Sequence, residues 1–246
     1  MAEEIIDIVD ENGNPTGETI TRAKAHDEGI RHRTAHIWVV RDNNGEYEVL
    51  LQKRALNKDS FPGRYDTSSA GHIQAGDEPL ESAIRELSEE LGILAEPEDL
   101  EFAGTFPIQY EKEFHGKMFK DNEIAFVYVY EGEVDISKLS IQEEELDSVE
   151  WFNLEEVYKA CQPPRDEKFC VPMGGLEIVR NFIKEKQETQ ANKMASGMSI
   201  RMCIGLAIGT SIGAATHNMG TWMCVGMLLG MVVGMTRGKR QNTNED

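Results

Sequence analysis

Glu86, Glu89 and Glu90 are three and four residues apart, the spacing that gathers side chains on one face of an α-helix. Three like charges placed together repel, and a cation is what turns such a cluster favourable. Carboxylate oxygens with no thiol or paired imidazole beside them suit a hard divalent ion, Mg²⁺ or Mn²⁺. The competing reading is a solvated acidic face on an acidic protein. The helix itself is well marked. Pro79 suits a first turn and Gly92 the position just past the end. Leu80, Ala83, Ile84, Leu87 and Leu91 recur at helical spacing, which predicts a helix over 79–91.

The surrounding elements must carry that helix. Strands are expected at Glu4–Val9, His36–Arg41, Tyr47–Lys53, Phe102–Phe106, Ile124–Tyr130 and Val149–Phe152, where β-branched and aromatic residues concentrate. Asp42-Asn-Asn-Gly45 reads as a hairpin turn, and Asn12-Gly13-Asn14-Pro15 as another turn. Further helices are expected at 154–161 and 175–187. Strands and helices mix without strict alternation, which favours an α/β sandwich over a Rossmann sheet or a TIM barrel.

Composition limits the partners. The 246 residues hold 44 acidic and 25 basic side chains, a formal charge of −19. Non-specific nucleic-acid binding needs clustered positive charge, so no nucleic-acid partner is expected. The first residues, MAEEIIDIVD, lack a basic segment followed by an apolar core, so no secretory signal is read there. Cys161, Cys170, Cys203 and Cys224 form no CxxC pair, consistent with reduced thiols in the cytoplasm.

The averages hide a seam. Residues 191–246 carry five basic and two acidic side chains and eight of the eleven methionines, so the acidity belongs to the preceding part. The division expected is a domain over 1–187, a polar linker over 188–197, and a helical hairpin over 198–240. In the hairpin, Gly205, Gly209 and Gly213 recur every four residues, as do Gly226, Gly230 and Gly234. Glycine weakens a solvated helix by ~1 kcal/mol against alanine, so the repeat makes sense where backbones approach closely. It resembles a glycine zipper, with Thr216-His217-Asn218 as the break between two arms. Arg201 before it and Arg237, Lys239 and Arg240 after it place both ends in the cytoplasm if the hairpin meets a membrane. Self-association through the zipper is the competing reading. The expected location is the cytoplasm, at the cytoplasmic face of a membrane if the tail engages one.

The stretch Gly71–Ile93 resembles the Nudix box: Gly, five residues, Glu, seven residues, then Arg-Glu-apolar-x-Glu-Glu-x-Gly-apolar. Every fixed position matches except Asp77, which stands where that family has Glu. The resemblance implies a Nudix α/β/α sandwich with a mixed sheet, and metal-dependent attack of water on a diphosphate linked to another group. It implies Glu86, Glu89 and Glu90 as metal ligands with Mg²⁺ or Mn²⁺, and Arg85 as the group that orients them. The base is a box glutamate or one of Glu143, Glu144 and Glu145.

Residues 4–160 are similar to the branch related to isopentenyl-diphosphate isomerase, through Asp7–Pro15, His32–His36, Gln52–Gly63, Ala70-Gly-His72 and Asp121-Asn-Glu123. That likeness implies Arg54 and Lys58 as diphosphate contacts and His72 and Glu123 as metal ligands, with His32, Asp121 and His26 at matching positions. The isomerase needs a Cys where Ala70 stands, and a methyl group transfers no proton. Hydrolysis is therefore expected over isomerisation, with a catalytically weak diphosphate-binding regulatory module as a further alternative. A nucleotide and an isoprenoid diphosphate both remain open as substrate. Trp38, Tyr65 and Phe114 are the aromatics that could stack on a base.

Overall fold

The computed structural model describes residues 3–58 and 60–229. The chain divides into two units, Met1–Phe182 and Ile183–Asp246. In the first, β1 (Ile5–Val9) and β2 (Pro15–Thr21) pair antiparallel as a two-stranded sheet, and α1 (Arg22–Glu28) follows directly. A seven-stranded mixed sheet comprises β3 (His32–Asn43), β4 (Glu46–Arg54), β5 (Tyr65–Asp66), β6 (Ser69–His72), β7 (Leu100–Phe114), β8 (Lys117–Tyr130) and β9 (Leu146–Asn153). Its order is β5-β4-β3-β8-β7, with β6 added to β3 and β9 to β4. Only β3 and β8 run parallel; the other pairs are antiparallel.

β3 organises the molecule. Its C-terminal residues pair with β4 and its N-terminal half with β6, so one strand feeds two partners on the same side. Side chains alternate between faces along a strand. Ala35, Ile37 and Val39 form a core with Leu50, Ile73 and the Ala83, Leu87 and Leu91 face of α2 (Pro79–Leu91). Burying such residues contributes about 1.5–3 kcal/mol for each of the larger aliphatic side chains. The other face of β3 presents His32, Thr34, His36 and Trp38. Trp38 is fully buried and a Cβ on Gly175 would lie 2.7 Å from its ring, so Trp38 is a core residue and not a stacking platform. Gly174 and Gly175 open α4 (Met173–Ala215), and their lack of side chains lets this helix approach Trp38 and Phe106. Between β9 and α4 lies α3 (Leu154–Ala160), capped by the Asn153 side chain, which accepts from the Glu155 and Glu156 amides.

α2 has its expected bounds, and Gly92 takes the left-handed conformation at φ 70°. The turn at 42–45 also forms, with Asn44 and Gly45 at positive φ. The strands run longer than their apolar stretches. β7 and β8 continue as a ribbon through charged residues to the Phe114/Lys117 pair, because backbone pairing needs no apolar side chains. β2 carries mostly exposed residues and α1 is two turns long, so neither has a periodicity to read.

In the second unit, the polar stretch 188–197 expected as a linker lies within α4. Its Lys, Glu, Gln and Ala are strong helix formers, so composition changes there without breaking the helix. The helix ends at Ala215, the chain turns at 216–217, and it is helical again over 219–229, matching the expected break. The remainder of the expected hairpin, with Gly230 and Gly234, lies outside the described residues. Ile200, Ile204, Ile208 and Ile212 are exposed at four-residue spacing. Among the described residues no helix is long and apolar enough to cross a membrane.

Candidate active site

A cavity of about 640 Å³ opens in the first unit. It is lined by Glu86, Glu89 and Glu90 from α2, by Arg54 and Lys58, and by His26, His72 and Glu123. Arg85 lines the same cavity, whereas His32, Glu143 and Glu144 do not.

α2 presents its acids through the strand beside it. Gly71 lies so close to Glu86 that an added Cβ would meet the carboxylate carbon at 2.1 Å; only glycine leaves the carboxylate its place. Arg85 binds Glu86 Oε1 at 2.8 Å, approaches Glu89 at 3.5 Å and donates to the His72 carbonyl at 3.3 Å. It ties helix to strand while orienting Glu86. Glu90 is buried and accepts from the Ala70 amide at 3.2 Å and from Gln52 Nε2 at 3.4 Å. Burial pushes Glu86 up to about 7, against the opposing pull of Arg85. Burial, helped by the Glu86 charge, pushes Glu90 up to about 8. Glu89 is more exposed. Two carboxyls that resist ionisation in a polar cavity fit a place for a cation, which would restore their charged form.

A second cluster sits nearby. His26, His32, His72 and Glu123 each offer a ligand atom, all within 4.8 Å of one another. They come from α1, β3, β6 and β8. Thr21 caps α1 at its start, and Gly29 at φ 75° closes its end, holding His26 inward. The parallel register sets His32 beside Glu123, and Thr34 Oγ1 donates to Glu123 Oε2 at 3.0 Å. His32 Nδ1 donates to the Ile30 carbonyl at 2.9 Å. A carbonyl only accepts, so that nitrogen carries the proton. His32 Nε2 points into the cluster, 3.5 Å from Glu123 Oε1, buried and with no hydrogen-bond partner. His26 Nε2 and His72 Nε2 face each other at 3.1 Å.

Burial drives His26 down to about 4, with His32 adding to the effect. Burial also holds His72 well below the usual imidazole range. Burial would raise Glu123, but the His32 imidazole holds it well below the usual carboxylate range. Imidazoles facing one another around a carboxylate, one with a buried ring nitrogen that lacks a partner, fit a divalent metal. Asp121 stands outside this group, its carboxylate 3.6 Å from His26 Nδ1, pushed up to about 9 by burial and by Glu123.

Arg54 and Lys58, the residues expected to contact a diphosphate, are each paired with an acid. Arg54 binds Asp66 at 3.2 Å and donates to Ser60 O and Oγ, both at 3.0 Å. Lys58 forms an ion pair with Glu145. Of the three glutamates expected to include a base, Glu145 alone lines this cavity; Glu143 and Glu144 are exposed. Ala70 lines the cavity too, at the place where an isomerase would need a thiol. Tyr65 lies outside the cavity lining and pairs with Glu150 at 2.7 Å. His26 and His32 complete a ligand set of which the sequence singled out His72 and Glu123. Gln52 and Asp66 carry no sequence signal, since they act through strands brought together by the fold.

A mixed sheet thus lays an acidic helix beside a strand carrying Gly71-His72. The family model of the NUDIX domain matches residues 30–170. A Nudix hydrolase of Clostridium acetobutylicum is 36% identical over 197 residues, covering 78% of this chain and 93% of its own. Nudix hydrolase 3 of Arabidopsis thaliana is 34% identical over 201 residues, 81% of this chain but 25% of that longer protein. A crystal structure from Deinococcus radiodurans aligns with a TM-score of 0.53 at 17% identity, covering 72% of this chain and 98% of its own, a likeness of fold. The chain belongs to the Nudix family and is a Nudix hydrolase. Residues 187–240 match the model of a glycine zipper membrane protein.

Proposed function

We propose that this chain hydrolyses a small molecule in which a diphosphate is linked to another group, with Mg²⁺ or Mn²⁺ held by Glu86, Glu89 and Glu90. The observation that carries this reading is the single cavity shared by the acidic face of α2, the imidazole cluster and the Arg54/Lys58 pair. His26, His32, His72 and Glu123 would hold a second divalent ion, for which an imidazole-rich set favours a first-row transition metal. Bound metal would supply charge neutralisation for the phosphates and a more acidic water.

The chain's own residues do the rest. Arg54 and Lys58 receive the diphosphate. As Lys58 turns to phosphate it releases Glu145, which then accepts the proton of the attacking water. Arg85 keeps Glu86 in place through its bond to the His72 carbonyl. The imidazole cluster favours a second reading, an isoprenoid-diphosphate isomerase, but Ala70 offers no proton at the place that chemistry needs. The domain runs over residues 1–187. The tail, over 198–240, associates with the cytoplasmic face of a membrane or with itself, and no nucleic acid is involved.

Turnover of a panel of diphosphates, followed as phosphate or nucleotide release, tests the reading. Activity with Mg²⁺ or Mn²⁺ is expected, with a loss of about 10²-fold or more in Glu89→Gln and Glu90→Gln while the fold persists. Full turnover in excess EDTA overturns it.

A further inference from the structure

His36 stands apart from the acids of α2, from the imidazole cluster and from the Arg54/Lys58 pair. It follows Thr34 on the face of β3 that also carries the fully buried Trp38. Its ladder partners are Ala70 on β6 and Val127 on β8, and the Phe106 ring meets it edge-on at 5.8 Å and 88°. These neighbours are apolar and would suit a leucine at this place. The histidine is instead 6% exposed, and it lines the first cavity together with Ala70. Its Nδ1 is buried and has no hydrogen-bond partner among the described residues. A buried ring nitrogen without a partner weakens a fold, so packing gives no reason for an imidazole here. His36 is also not one of the four residues whose ligand atoms gather for a metal.

The surroundings indicate what the ring faces. Burial holds His36 below the usual imidazole range, against the pull of the Glu123 and Asp66 charges. Glu123 belongs to the imidazole cluster and Asp66 holds Arg54, so His36 lies within electrostatic reach of both. A ligand that extends from Arg54 towards the cluster passes it. Opposite residues of an antiparallel ladder share a face, with Cβ atoms about 4.5–5.5 Å apart. The Ala70 methyl therefore leaves the ring open to the cavity.

Resting on the diphosphate reading above, we propose that His36 donates a hydrogen bond from its ring to a phosphate oxygen of the bound substrate, a contact separate from the metal ligands and from Arg54 and Lys58. A neutral imidazole carries one donor and one acceptor, and a bond to an anionic oxygen is stronger than one between neutral groups. A lysine or arginine at this depth would bury a charge with no acid paired to it, which is costly in the free protein. Histidine avoids that cost and still offers an N–H.

Stability and affinity should respond differently to its loss. His36→Leu roughly keeps the volume and removes both ring nitrogens. Calorimetric titration of the full chain with inorganic pyrophosphate and Mg²⁺ is expected to show affinity about tenfold or more below wild type. The Tm of the free protein should hold or rise, because no bonded nitrogen is lost. His36→Gln, whose amide still donates, should recover part of the affinity. Equal pyrophosphate affinity in wild type and His36→Leu would overturn the proposal, as would a lower Tm in His36→Leu with no recovery of affinity in His36→Gln. Absence of pyrophosphate binding by the wild-type chain would overturn the diphosphate reading along with it, so the two failures are told apart.

Discussion

At the scale of single residues, the site depends on how charges are paired before substrate arrives. Lys58 is paired with Glu145 and Arg54 with Asp66, so a diphosphate received there as proposed would compete with carboxylates for both cations. If Glu145 is the proton acceptor, Glu145→Gln separates binding from chemistry. The kcat should fall about 10²-fold or more. The KM should hold or fall, because Lys58 loses its competitor. A rise in KM with unchanged kcat would contradict this role. Gly71→Ala makes a second residue-scale test. Its new methyl must displace the Glu86 carboxylate, so kcat should drop at least tenfold with the circular-dichroism spectrum unchanged.

At the scale of elements, a buried ion pair fixes the loop that leads into α2. Asp7 on β1 binds Arg33 on β3 at 3.0 Å and accepts from the Gly76 amide at 3.0 Å, while Arg33 donates to the Asp77 carbonyl at 3.2 Å. Asp7→Ala leaves the Arg33 charge buried without its partner, a change that costs about 3–5 kcal/mol in such settings. Denaturant unfolding should register that loss, and an unchanged midpoint would refute it. α2 was legible from its thirteen-residue periodicity and its terminal Pro79 and Gly92. α1 was not, because seven residues carry no helical period, yet it delivers His26. Likewise the acids of α2 share one contiguous motif and could be read directly. The imidazole cluster is gathered from α1, β3, β6 and β8, and no spacing along the chain announces it; only likeness to a family pointed there. Glu145 emerged from its neighbours Glu143 and Glu144 because the strand that follows, β9, returns it to the cavity rim.

At the scale of the whole molecule, buried carboxyls make metal and pH act together on stability. Glu86, Glu90 and Asp121 have folded-state values of about 7, 8 and 9, above their unfolded values. Each contributes stability at low pH that is lost as pH rises through its folded value. His26, lowered to about 4, acts the opposite way, but its effect is complete above the unfolded imidazole value near pH 6.5. Between pH 6.5 and 9 the metal-free protein should therefore lose thermal stability as pH rises. Added Mg²⁺ or Mn²⁺ should raise Tm most at the alkaline end; a metal shift that is equal across this range would contradict the account. The tail calls for a different observation. Fractionation of the full chain should place it with membranes or as an assembly that truncation at residue 190 abolishes, and a monomeric supernatant protein would refute both. In the proposed reaction water, not carbon chemistry, meets the diphosphate. Turnover of a diphosphate panel with Mg²⁺ or Mn²⁺ in ¹⁸O-water, with deuterium as a second solvent label, tests it most directly. Hydrolysis should place ¹⁸O in the released phosphate or nucleotide and no deuterium in an isoprenoid diphosphate; solvent deuterium in an isomerised product without ¹⁸O-labelled phosphate would refute it.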